Sequence, residues 1–159
     1  MVSMRWGLVP HFIKGLEEIK DKKYFNARSE TITQRQTWRK PIKKRRCLVP
    51  VSAFYEWDEY SGTPRKPYFL ELSDASMMAL AGIWDAWKGQ EGRWVQSFSI
   101  VTTASNNLMA KIHPRMPVIL HKGDYDRWLS RDVKEQPPLD LLRPYESGGD
   151  GNAPCQPTG

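Results

Sequence analysis

Apolar residues gather in short runs through the middle of the chain, and polar turn signals separate those runs. Residues 47–57 (CLVPVSAFYEW), 68–72, 78–87, 94–103 (WVQSFSIVTT) and 116–120 are rich in β-branched and aromatic side chains. The 94–103 run alternates in part, as a half-buried strand does. Ser61-Gly62-Thr63-Pro64 and the Gly89–Gly92 stretch supply turn chemistry between runs. Helical character is sparser: 27–38, 106–112 behind Ser105 as N-cap, 123–130 and 139–142 are the expected helices. The pattern predicts an α+β domain with a mostly antiparallel sheet, curled toward a barrel and flanked by a few helices. The Gly- and Pro-rich end, 146–159, reads as a loop-rich tail.

Length and composition narrow the picture. The 159 residues are the usual size of one domain, and seven Trp, six Tyr and five Phe make large rings the main packing material. No run is long and apolar enough to span a bilayer, and the first ten residues lack the apolar core of a signal peptide. Cys47 and Cys155 lie far apart and match no metal spacing, so neither a metal nor another cofactor is expected. A reducing compartment, cytoplasmic or nuclear, is the default. Residues 1–46 carry 13 Lys/Arg against 4 Asp/Glu, whereas 47–159 carry 11 against 14. A basic first third fits a polyanion partner or a solvated basic face equally well. Its densest part, 39–46 (RKPIKKRR), reads as an exposed, solvated connector.

Several residues are candidates for chemistry. Glu56 lies among Phe54, Tyr55 and Trp57, and a carboxyl in apolar company suits proton exchange near neutral pH. An exposed strand-end Glu is the plain alternative. Asn26 can donate and accept hydrogen bonds at once, or simply cap a turn. His113, before Pro114, could shuttle protons or be an ordinary surface histidine. His11 and His121 are taken as surface residues. Trp6, beside Arg5 and Gly7, could stack on an unpaired base or belong to the core. Thr102 and Thr103 could donate to phosphate, though strand threonines commonly have no such role.

Read together, these segments resemble one family. Arg5-Trp6-Gly7-Leu8-Val9-Pro10, Asn26-Ala27-Arg28-Ser29-Glu30-Thr31, Arg46-Cys47-Leu48-Val49-Pro50 running into Phe54-Tyr55-Glu56-Trp57, the block from Met78 to Trp87, and Thr102-Thr103 followed by Ile112-His113-Pro114-Arg115-Met116-Pro117 occur in that order. From about Met4 to Tyr145 the chain is similar to the SOS response-associated peptidase family, whose members process abasic sites in single-stranded DNA. The resemblance implies Asn26, Glu56 and His113 at a catalytic centre. It implies Trp6, Arg28, Thr102, Thr103 and Arg115 as DNA contacts. The implied partner is single-stranded DNA with an abasic site, bound by a monomer without membrane, metal or cofactor.

The family nucleophile implied by this resemblance is a cysteine directly after the initiator Met. Its amine forms an imine with the opened sugar, and its thiol then closes a thiazolidine ring. Position 2 here is Val2, and the Trp-Gly-Leu block starts at Trp6. The expectation is an N-terminally shortened domain over 1–145, inactive in crosslinking as given. Neither Cys47 nor Cys155 carries the free α-amine that the ring requires. Two other readings stay open: a thiol autopeptidase, and a non-catalytic single-stranded DNA-binding module.

Overall fold

The computed structural model describes residues 1–132, 136–146 and 155–158. Two sheets and a few short helices make up the molecule. The larger sheet is built on two long antiparallel strands, β6 (Met78–Lys88) and β7 (Trp94–Ala104). Strand β3 (Arg46–Val51) pairs antiparallel with β6 on its far side. Two short strands, β1 (Arg5–Trp6) and β2 (Asn26–Arg28), run parallel to β7 along its other edge. The smaller sheet orders β4 (Ala53–Trp57), β5 (Pro67–Leu72) and β10 (Cys155–Thr158) as β10-β5-β4, all antiparallel.

Strands β6 and β7 splay beyond Gly82 and Ile100, and β8 (Arg115–Pro117) and β9 (Ile119–Leu120) fill the gap. Val118 bridges them: its N–H donates to the Val101 carbonyl (2.9 Å) and its carbonyl accepts from Ala81 N–H (2.8 Å). The backbone groups exposed by the splay are thereby satisfied inside the protein, as burial demands. Neither sheet closes into a barrel. The mixed α+β character holds, and the expected barrel-like curl gives way to two stacked open sheets.

Burial explains the sequence pattern. Met78–Ile83 are all buried, whereas β7 alternates with Ser97, Ser99, Val101 and Thr103 buried. One face of the large sheet packs on helices α1 (Gln36–Arg39), α2 (Pro41–Lys44) and α3 (Tyr125–Leu129), through Trp38, Ile42 and Trp128 against Ala81, Ile83 and Val101. The other face takes the small sheet, with Leu70, Leu72 and Phe54 against Leu80, Val49 and Ile100. β6 therefore lies between two cores, which is why its first half is apolar without alternation. Trp128 is fully buried and donates its indole N–H to the Cys47 carbonyl (2.9 Å). Truncating such a residue to Ala costs about 3–5 kcal/mol.

Four elements differ from the sequence reading. Residues 27–38 do not form one helix: Ala27 is buried in a strand, a single 3-10 turn covers Ser29–Thr31, and α-helix is confined to Gln36–Arg39 just before Pro41. The expected 47–57 strand breaks at Ser52, so β3 joins one sheet and β4 the other. The basic stretch 39–46 is not a solvated loop, since Pro41 and Ile42 are buried in α2. Arg45 pairs with buried Asp85, and Arg46 donates to the carbonyls of Ile42 (2.8 Å) and Lys43 (2.9 Å). In the tail, 155–158 is a strand rather than loop.

Candidate functional site

The site begins on the edge of β7. In β2, buried Ala27 faces the helical core, so its neighbours Asn26 and Arg28 face the other way. Parallel register sets Asn26 beside Ile100 and Arg28 beside Thr102. Trp6 takes the corresponding place beside Phe98. Trp6, Asn26 and Arg28 thus form one row on the face against which the small sheet packs. Trp6 is half exposed, and its indole N–H donates to the Phe25 carbonyl (3.0 Å). Arg28 is exposed and forms no ion pair among the described residues.

The small sheet supplies a wall. Alternation along β4 turns Tyr55 and Trp57 to solvent and sets Glu56 on the side of Phe54, which packs into the second core. Glu56 therefore lies on the side of β4 that faces the large sheet, and its Oε1 accepts from Trp57 N–H (3.2 Å). The chain leaving β4 meets the His113 loop, where Glu59 N–H donates to the Ile112 carbonyl (2.8 Å). His113 Nε2 lies 3.8 Å from a Glu59 oxygen. His113 Nδ1 lies 3.0 Å from both the backbone N and the backbone O of Arg115. Unprotonated Nδ1 can accept the Arg115 N–H, and protonated Nδ1 can donate to the Arg115 carbonyl.

Arg115 ties the row together. Its guanidinium grips Glu30 with both terminal nitrogens (2.6 and 3.1 Å) and donates to Thr102 O (2.8 Å) and Oγ1 (3.2 Å). The hydrogen bond from Arg115 holds the Glu30 carboxyl below its ordinary range. Arg115 Nε is buried and has no hydrogen-bond partner among the described residues. Thr103 does not join this face: it is buried, and its hydroxyl donates to the Leu142 carbonyl (3.4 Å).

Several participants had no clear sequence signal. Glu59 lies in none of the matching segments, and Glu30 lies inside the Asn26–Thr31 block without a signal of its own. His11 is not a free surface histidine. It lies half-buried, with its N–H (2.9 Å) and Nδ1 (2.8 Å) on Asp85, which also binds Arg45. His121 stacks on Tyr145 with ring centres 4.7 Å apart. Cys47 sits in β3 beside Gly82, and burial pushes its thiol up to about 12. It remains a protonated thiol at neutral pH, unsuited to attack.

Comparisons with known proteins agree on one lineage. The family model described as SOS response associated peptidase (SRAP) matches residues 1–152. The chain is 36% identical over 146 residues to the abasic site processing protein YoqW of Bacillus subtilis, covering 91% of this chain and 64% of that protein. It is 34% identical to mouse abasic site processing protein HMCES, covering 92% of this chain and 50% of that protein. The chain thus spans less than two thirds of the length of these relatives. Its fold is similar to a crystal structure of a Bacteroides thetaiotaomicron protein, with a TM-score of 0.84 and 33% identity over 91% of this chain and 64% of that one. A second, from Bordetella bronchiseptica, has a TM-score of 0.77 and 31% identity over 92% of this chain and 72% of that one.

Proposed function

Because the chain belongs to the SOS response associated peptidase (SRAP) family, we propose that it processes abasic sites in single-stranded DNA, with the damaged sugar held at the mouth of the cleft between the two sheets. What supports this reading is that Asn26 pairs in register with Ile100, on the face of the large sheet where Phe54, two residues before Glu56, also packs, and that Arg115 reaches Thr102 on the same edge. Glu56 and His113 move protons as the sugar opens to its aldehyde. Asn26 hydrogen-bonds the sugar or the aldehyde oxygen. Arg28 binds a flanking phosphate. Arg115, its terminal nitrogens held by Glu30 and Thr102, fixes the loop that carries His113.

Covalent trapping, a response to DNA damage, is the further step in this reading. An amine adds to the aldehyde and water leaves, giving an imine. A thiol on the same residue then adds across the C=N bond, with its proton passing to nitrogen, and closes a thiazolidine. Both groups must belong to one terminal cysteine, so Cys47 in mid-strand cannot serve. Its protonated, desolvated thiol also fits a thiol peptidase poorly.

The test is binding and processing of a labelled strand. By anisotropy, the chain should prefer a single strand bearing an abasic analogue to the same strand in a duplex. Arg28→Glu should weaken that binding about tenfold. On a natural abasic strand, a denaturing gel should show that Glu56→Gln slows any covalent capture or strand cleavage. Equal affinity for single strand and duplex, with no effect of Arg28→Glu, would end this reading.

A further inference from the structure

Beside the row of site residues lies a cavity of about 390 Å³, between the Arg5–Gly7 edge and the turn at Leu16–Ile19. Arg5, Lys20, Lys22 and Lys23 line it, and no carboxylate does. None of these four cations forms an ion pair among the described residues. Between them lie the apolar surfaces of Leu16 and Phe25, each about two-fifths exposed. Phe25 immediately precedes Asn26, so the cavity borders the strand that carries the candidate centre.

The Phe25 ring is held in place. Gly7 has φ of 102°, a backbone conformation that favours glycine, and a Cβ there would lie 3.0 Å from a Phe25 ring carbon. The Trp6 ring also packs on it, tilted, with ring centres 5.3 Å apart. An exposed, fixed ring beside four free cations matches the two faces of a nucleotide: a flat base and an anionic phosphate. An acidic peptide would satisfy the cations and leave the ring unused.

We propose that this cavity is a subsite for an unpaired nucleotide flanking the abasic position, with its base against Phe25 and its phosphate among Lys20, Lys22 and Lys23. The proposal rests on the nucleic-acid reading above and extends the bound strand beyond the catalytic centre. It makes the basic bias of the first third a local device rather than a diffuse field.

The experiment uses single strands carrying an abasic analogue, with 2-aminopurine placed one, two or three nucleotides to its 5′ or 3′ side. Binding by the whole chain should change the fluorescence strongly on one side only. Lys22→Glu/Lys23→Glu should abolish that change, weaken affinity about tenfold, and flatten the log–log salt dependence by about 0.7 for each phosphate no longer neutralised. Phe25→Leu keeps the apolar volume and should remove the fluorescence change, with an affinity loss of roughly fivefold or more. Thermal melts confirm that each variant folds. If Arg28→Glu weakens binding while the lysine and Phe25 variants leave affinity, salt slope and fluorescence unchanged, the subsite is wrong and the nucleic-acid reading stands. If Arg28→Glu is equally without effect, both fall together. If the lysine variant loses polyglutamate as readily as DNA and Phe25→Leu loses nothing, the cavity is an anion site for acidic protein, and the proposal is overturned.

Discussion

Gly82→Ala is the sharpest test of the floor beneath the cleft. Gly82 sits in β6 with Cys47 of β3 on one side and Ile100 of β7 on the other, two strands from Asn26. A Cβ there would lie 2.7 Å from Cys47 Sγ, 2.9 Å from Val49 Cγ2 and 3.3 Å from the Cys47 carbonyl. Comfortable heavy-atom contact is about 3.5–4.0 Å, so two side chains of the same strand must both yield. One rotamer change at Cys47 relieves the first clash and leaves the second. Overpacking of this kind costs about 1–3 kcal/mol, and two simultaneous clashes place the expected loss at about 2–3 kcal/mol. At roughly 2–4 °C per kcal/mol for a chain of this size, the melting temperature should fall by about 4–12 °C. Cys47→Ala removes the shorter contact, so the double variant should recover about half the loss, a favourable coupling of about 1 kcal/mol. Thermal and denaturant unfolding of the four proteins measure this cycle. A Gly82→Ala protein as stable as the parent, or a double variant whose losses simply add, would refute the packing argument.

Further predictions concern charge and thiol chemistry. Arg28→Ala should lower the log–log salt slope of single-stranded DNA binding by about 0.7, read by anisotropy across a salt series; an unchanged slope would remove Arg28 from the phosphate contacts. Arg115 lowers the folded-state pKa of Glu30, so the pair stabilises the fold above the ordinary Glu value of about 4.3 and loses that contribution as pH falls through the lower folded value. Glu30 is half exposed, which limits the effect to under about 1 kcal/mol, and Glu30→Gln should flatten that part of the stability–pH curve. Cys47, with its thiol near 12, should resist alkylation at pH 8 in the native protein and react on unfolding, and Cys47→Ser should leave abasic-strand processing unchanged. Rapid native labelling would show that the strand opens far more readily than its packing implies.

Local pattern was enough for the elements whose burial is simple. The alternating residues of β7 and the unbroken apolar run in β6 announced strands because one has a half-exposed face and the other lies between two cores. The block from Asn26 to Thr31 and the Ile112–Pro117 block marked the candidate site residues by type and order alone. Residues 27–38 misled because edge pairing with β7 overrides weak helical propensity, and no feature within twelve residues reports an edge 74 positions away. The strand at 155–158 stayed hidden for the same reason, since its partner β5 lies in another part of the chain.

The electrostatic assignments needed the tertiary structure most. Arg45 and Arg46 belong to the same basic run as Lys43 and Lys44, yet they are spent on Asp85 and on backbone carbonyls. Arg28 and Arg115 look equivalent in sequence; among the described residues Arg28 forms no ion pair, whereas Arg115 is clamped by Glu30 and Thr102. Which cations remain for a polyanion depends on what lies within about 4 Å of each in space. Residue type and order therefore determined the family and the candidate chemistry. Through-space pairing, which sums contacts from β2, β7 and the 113–115 loop, decided which of those groups are available to use it.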